Sequence, residues 1–278
     1  MQHSSRLGIE ILQNCNLLHI TDIQRQELKK ALWEHGVIVV KQQNLTALEL
    51  ENFSRLTFGD FMFGGSRVLD PDLSLDFQSN YVFALGNPKG EPEPLEKFAW
   101  KWHQDKDGLP RTEGLEMNAL YVVILHAVEV PTEDVNGKPH TTEFIDLLEA
   151  YQNLDDQQKQ LLENMSLHHK SPNFSKDTIN VATKIHPIVS THKVTGRKGL
   201  YLGIDSAIPV GMEDKPEQAR HFMQNLFQSV LAHTPVYSHV WQKGDIILWD
   251  NSQVMHRGIA YDATKYKRIA LRLGVVNV

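Results

Sequence analysis

A chain of 278 residues, 41% hydrophobic and 22% charged, has the composition of an ordinary globular protein long enough to bury a substantial core. Its net charge of −6, with no concentrated basic patch, excludes a general nucleic-acid binder, because phosphate recognition needs a basic surface. The single cysteine, Cys15, excludes an intramolecular disulfide and any zinc site built on several thiolates. No run is apolar for the length of a membrane span and the N-terminal stretch lacks a signal-peptide core, so no membrane partner and a cytoplasmic location are expected.

In chain order, "TDIQRQELKKALWEHG" (21–36) reads as a helix. Thr21 or Asp22 caps it, Ile23, Leu28, Leu32 and Trp33 form an apolar stripe, and Gly36 ends it. The β-branched run "VIVVKQQ" predicts a strand immediately afterwards, and "TALELENFSRLTFGDF" (46–61) a second helix, with Thr46 and Glu49 spaced as a capping box. From residue 80 strands dominate: 81–87, 115–130, 181–192, 199–203, 244–251 and 268–276 all favour extended structure. Helices are expected at 143–165, with Thr142 as its N-cap, and at 216–234. There is no internal repeat and no linker, so residues 1–278 read as one domain with a helical or lid insertion at about 143–180. Long strands without βαβ alternation predict an antiparallel sandwich or barrel carrying helices. G-x-G-x-x-G, P-loop, G-x-S-x-G and H-E-x-x-H motifs are all absent.

The stretch "FAWKWHQDKDGLP" (98–110) carries the first chemical signal. In an extended backbone residues i and i+2 share a side, so His103 and Asp105 aim an imidazole and a carboxylate at one point while Trp102 and Gln104 face away. A third ligand, His256, follows the strand and polar break of "GDIILWDNSQVMHRG". Two histidines and one carboxylate form the facial triad of non-haem Fe(II), although zinc takes the same ligands and a loop ion pair beside an unrelated histidine is the bland alternative. In "RIALRLGVV", Arg268, Ala270 and Arg272 share one face of the last strand. They make an anion clamp if that face looks inward and ordinary surface charge if it looks outward. Phe98, Trp100 and Trp102 belong either to a pocket mouth or to the core. His168, His169, His221, His233 and His239 read as surface or packing residues.

The ordered set resembles the taurine/2,4-dichlorophenoxyacetate dioxygenase (TauD/TfdA-like) family, whose members depend on Fe(II) and 2-oxoglutarate. It comprises H-x-D, T-E-F, H-P-x-V-x-T-H-x-x-T-G-R-K-x-L-Y, G-D-x-x-x-W-D-N-x-x-x-x-H, and an arginine twelve residues on. The resemblance covers nearly the whole chain, from "HGVIVVKQQ" to Leu273. It implies a mainly β fold, a double-stranded β-helix (jelly-roll) core flanked by N-terminal and inserted helices. It also implies His103, Asp105 and His256 as iron ligands, with Thr142 and Arg268 holding 2-oxoglutarate. Arg272 then stands where a second arginine lies near 2-oxoglutarate or an anionic substrate group, with Lys106 and Trp102 as further substrate-side candidates. Thr141 beside Thr142 leaves the threonine open by one residue.

The implied reaction oxidises an unactivated C–H bond of a small, anionic or amino-acid-derived substrate, with O2 as co-substrate and succinate and CO2 as products. Desaturation, ring closure and isonitrile formation on the same site, and a non-catalytic jelly-roll binding protein, are the alternatives. Homo-oligomerisation stays open. Ser190 and Lys193 stand where the family often has Arg and Pro, and Lys138-Pro139-His140-Thr141 replaces its usual Gly-Gly-Asp. These departures, with Lys106-Asp107-Gly108 after the ligand aspartate, bear on the substrate and not on the triad. Lys101, Lys106, Lys193 and Arg272 together suggest an acidic substrate group.

Overall fold

The first helix, α1 (Asp22–His35), begins where its sequence provides both halves of a capping box. The Thr21 side chain accepts from the Gln24 N–H, and the Gln24 side chain accepts from the Thr21 N–H. These contacts belong to a computed structural model that describes residues 6–12, 15–60, 79, 81–87, 98–105, 120–171, 182–203 and 207–276. Gly36 ends the helix at φ 68°, a conformation that L side chains rarely adopt. Leu28, Leu32 and Trp33 are buried as the stripe predicts, but Ile23 is 72% exposed. Five residues at about 100° each place it well round the helix from Leu28, so it never shared that face. The second helix, α2 (Ala47–Phe58), starts on the Thr46–Glu49 box and stops at Gly59, short of the expected end.

Both helices cover one face of a six-stranded sheet. Its order is β1 (Ile9–Glu10), β2 (Val37–Val40), β12 (Ile246–Asp250), β4 (Val122–Glu129), β14 (Ile269–Val275) and β3 (Phe83–Gly86). Only β1 and β2 pair in parallel. The two-residue period of a strand sorts the side chains. Ile38, Val40, Ile124, Leu248, Leu271 and Leu273 pack with α1 and α2, whereas Val37, Val39, Val123, Leu125, Ile247 and Ala270 form a second core on the other face.

A three-stranded antiparallel sheet, β11 (Val236–Val240), β5 (Thr141–Asp146) and β13 (Val254–Gly258), closes that second core with Phe144 and Val254, joined by Trp241. The result is a sandwich of two sheets with helices outside it. Behind the smaller sheet lies a third layer built from α3 (Leu147–Gln152), α4 (Asp156–Glu163), β6 (Ser166–Ser171), β7 (Ala182–Pro187), β8 (Val189–Thr191), β9 (Lys198–Leu200), β10 (Ala207–Pro209) and α5 (Pro216–His233). It packs against Ile145, Met255 and Trp102.

The helix expected at 143–165 is corrected here. Residues 141–146 are the central strand of the smaller sheet, hydrogen-bonded to β11 and β13, and the helical excursion starts only at Leu147. Its N-cap is Asp146, which accepts from the Leu148 and Glu149 N–H groups, and not Thr142. Asp155 caps a second, separate helix after a break at Asn153. No helix among the described residues is long and apolar enough to cross a membrane.

Candidate metal centre

A single 3-10 turn, Phe98–Trp100, leads into an extended segment lying along β13. The His103 N–H donates to the His256 carbonyl at 3.0 Å, and the His256 N–H donates back to the His103 carbonyl at 2.9 Å. Residues that exchange both bonds stand directly opposite one another, so their side chains leave the sheet on the same side. The two imidazole centroids are 4.2 Å apart. The His256 ring also packs on Phe144 and Trp249, whose side chains belong to the core between the sheets, so this side looks inward.

Two residues on, the backbone returns Asp105 to the same side. Its Oδ1 lies 4.0 Å from His103 Nε2 and its Oδ2 lies 3.6 Å from His256 Nε2. One ligand atom from each of the three lies within 4.8 Å of the others, and among the described residues no second cluster of this kind occurs.

The protonation states suit a metal. His103 Nδ1 donates to the Lys101 carbonyl at 2.7 Å, which orients the ring with Nε2 toward Asp105. Burial, helped by His103 and the Arg272 charge, pushes the His256 imidazole down to about 3, so it is neutral at physiological pH. Burial works against the Asp105 carboxylate as well. The Arg272 guanidinium, with Nη2 2.7 Å from Asp105 Oδ2, outweighs it and holds the carboxyl well below the usual carboxylate range. Two imidazoles and one carboxylate on one side match the donor set of a non-haem Fe(II) site.

Residues to which the sequence assigned no role hold this geometry. Asn251 Oδ1 accepts from the Asp105 N–H at 3.0 Å, and its Nδ2 donates to the Asp105 carbonyl at 2.8 Å and the Leu120 carbonyl at 3.0 Å. Gln104, between His103 and Asp105, turns the other way; it accepts from the Leu202 N–H and donates to the Asn251 carbonyl. The polar break after β12 was visible in the sequence, but its partner 146 residues away was not. Asn251→Ala leaves the Asp105 peptide groups and the Leu120 carbonyl without this partner. A roughly tenfold weaker Mn(II) affinity is therefore expected, the size typical of losing a group that orients a metal ligand. Titration of the purified variant with Mn(II) measures this, and wild-type affinity would show that other contacts hold Asp105.

Thr142 is buried on β5, two residues before Phe144 and on the same face; its Oγ1 accepts from Trp241 Nε1 at 2.8 Å and keeps a proton to donate. Arg268 stands half-buried just before β14. Ala270 lies in the inter-sheet core, so the face of β14 that carries Arg272 looks inward. Burial and the Arg268 charge together push His140 down to about 4, which places that charge near the base of β5. Trp102 lies in the third-layer core, edge-on to Phe227 and beneath the Arg257 guanidinium, on the side of the strand away from the histidines. Lys193 is exposed and sits over the Tyr121 ring. Lys106 and the loop after it lie outside the described residues.

The model of the family described as taurine catabolism dioxygenase TauD, TfdA family, matches residues 5–273. The chain is 26% identical over 279 residues to an (S)-phenoxypropionate/alpha-ketoglutarate-dioxygenase of Sphingobium herbicidovorans, covering 93% of this chain and 88% of that one. It is 28% identical over 280 residues to an alpha-ketoglutarate-dependent 2,4-dichlorophenoxyacetate dioxygenase of Cupriavidus pinatubonensis, covering 94% and 91%. Its fold is similar to that of AAD-2, whose crystal structure holds Mn(II) and the 2-oxoglutarate analogue N-oxalylglycine. The TM-score is 0.74 and the identity 22%, over 100% of this chain and 96% of that one. The mainly β, jelly-roll architecture and the enzyme class expected from the sequence are thus met. With the family model matching residues 5–273, the chain belongs to the TauD/TfdA family of Fe(II)- and 2-oxoglutarate-dependent dioxygenases.

Proposed function

We propose that this dioxygenase hydroxylates an unactivated C–H bond of a small carboxylic acid. His103, Asp105 and His256 would hold Fe(II), Thr142 and Arg268 would receive the distal carboxylate of 2-oxoglutarate, and Arg272 would orient the acid group of the substrate. Bound iron supplies the activation of O2, coupled to conversion of 2-oxoglutarate to succinate and CO2, with one oxygen atom ending in succinate and the other in the hydroxylated product.

The protein's own share is placement. The observation that carries this reading is the position of Arg272. Its guanidinium is 2.7 Å from a ligand carboxylate, itself 9% exposed, and fixed above the Phe83 ring. An acid group held there lies beside the metal ligands, which is the proximity a C–H oxidation needs. The two relatives named above act on substrates whose names carry a carboxylate, in keeping with this choice.

The test supplies Fe(II), 2-oxoglutarate and air to the purified protein and screens phenoxyacetic, phenoxypropionic and aliphatic acids beside matched sulfonates and alkyl sulfates. Carboxylic acids are expected to raise succinate release several-fold above the substrate-free rate. Stimulation by sulfonates alone would overturn the substrate class, and no stimulation by any acid would overturn the reading of Arg272.

A further inference from the structure

We infer that Asn87 is a positioning residue for Arg268, setting the direction of that guanidinium through the backbone that carries it. The inference rests on the reading of Arg268 as the residue that receives the distal carboxylate of 2-oxoglutarate.

Arg268 sits beside an irregularity in the β14–β4 ladder. It precedes the first residue of β14, and the register against β4 shifts between Ile269 and Ala270, next to it. A shifted ladder leaves local direction under-determined, so another contact has to set it. Asn87, 4% exposed at the end of β3, supplies that contact. Its Oδ1 accepts from the Arg268 N–H at 2.7 Å and from the Tyr261 hydroxyl at 2.8 Å. Its Nδ2 donates to the Ala263 carbonyl at 3.1 Å and the Tyr266 carbonyl at 3.0 Å. Its own backbone N–H donates to the Arg268 carbonyl at 3.1 Å.

Both ends of one carboxamide are therefore engaged on a single loop, the link from β13 to β14, and both peptide groups of Arg268 are gripped. The approach is closed from the other side by Gly86. At φ 117°, a Cβ built on Gly86 would lie 2.1 Å from the Arg268 carbonyl oxygen, so only glycine lets β3 come this close. Tyr261, 5% exposed, adds a second brace. While its hydroxyl bonds Asn87, its ring stands edge-on to His140 at 5.5 Å, and His140 Nε2 is 3.1 Å from the Ile259 carbonyl of the same link.

A guanidinium recognises a carboxylate by matched direction as well as by charge. Loosening the loop should thus cost affinity for a keto acid with a distal carboxylate and spare one without it. The experiment titrates Mn(II)-loaded wild type, Asn87→Ala, Tyr261→Phe and Arg268→Ala anaerobically with 2-oxoglutarate and with 2-oxobutyrate, which lacks the distal carboxylate. Mn(II) affinity is measured alongside. Asn87→Ala is expected to lower the ratio of 2-oxoglutarate to 2-oxobutyrate affinity roughly tenfold, as orienting partners typically do, with Mn(II) affinity unchanged. Tyr261→Phe keeps the ring and removes one hydrogen bond, so about a threefold drop in the ratio is expected.

Equal losses for Mn(II) and both keto acids would make Asn87 a structural residue only and overturn the inference. Should Asn87→Ala fail to fold, Tyr261→Phe decides alone, and an unchanged ratio overturns it. Arg268→Ala separates the two levels of the argument. A collapsed ratio there beside wild-type ratios in the other variants overturns the positioning role alone. A wild-type ratio in Arg268→Ala overturns the clamp reading and the positioning role with it.

Discussion

His256→Ala is expected to reduce succinate formation by at least about a thousandfold, equivalent to about 4 kcal/mol of barrier, and to abolish tight Mn(II) binding. The same loss is expected of Asp105→Ala, but the two variants should differ in stability. His256 is a neutral imidazole packed on Phe144 and Trp249, so its removal leaves a cavity in the inter-sheet core and costs about 2–4 kcal/mol. Asp105 is the partner of Arg272, whose side chain is only 9% exposed. Removing it leaves a buried guanidinium without that counter-charge, which costs about 3–5 kcal/mol in metal-free protein. Asp105→Asn keeps the shape and a side-chain oxygen that can accept from the Arg272 guanidinium, so it should retain more stability than Asp105→Ala while binding Mn(II) as poorly. Thermal unfolding of metal-free protein and Mn(II) titration check both statements. A His256→Ala protein that releases succinate at the wild-type rate would remove the metal centre from these residues.

The facial cluster was legible because its information is local. A His-x-Asp pair in extended backbone converges by the pleat alone, and His256 follows, after a short polar break, a strand whose apolar run is plain in the sequence. The direction of the arginine face was not legible. Every residue of β14 from Ile269 to Val275 is buried, so the alternation of its arginine face with Ile269, Leu271 and Leu273 does not tell the side covered by α2 from the side facing the smaller sheet. The error over 143–165 has a related cause. "TTEFID" satisfies a helix start or a strand equally well, and the pairing with β11 and β13 that decides it comes from residues about a hundred positions away. The side chains that steady the site were the least visible. Asn251 and Asn87 are single amides whose partners lie 146 and 181 residues distant; Asn251 falls within the W-D-N stretch, but nothing around either residue names its partner.

Arg268→Ala and Arg272→Ala are expected to separate co-substrate from substrate. Truncating one side of a hydrogen-bonded charge pair costs about 2–5 kcal/mol, so Arg268→Ala should raise the 2-oxoglutarate KM by about thirtyfold or more. Fe(II) affinity and the KM for the acid substrate should move little. Arg272 reaches Asp105 and the Phe83 ring, one step from the metal ligands, so its loss should fall elsewhere. Arg272→Ala should leave the 2-oxoglutarate KM within about threefold and raise the acid-substrate KM by about tenfold or more, the scale of one lost charge-assisted contact. It should also release more succinate per hydroxylated product, because a C–H bond held off its position is oxidised less often in each turnover. Steady-state kinetics with each reactant varied, together with the succinate-to-product ratio, distinguish the two. Small and equal effects on the 2-oxoglutarate KM would mean that neither arginine receives the distal carboxylate. If Arg272→Ala instead raises that KM more than Arg268→Ala, the two assignments are reversed, and the residue beside Asp105 serves the co-substrate.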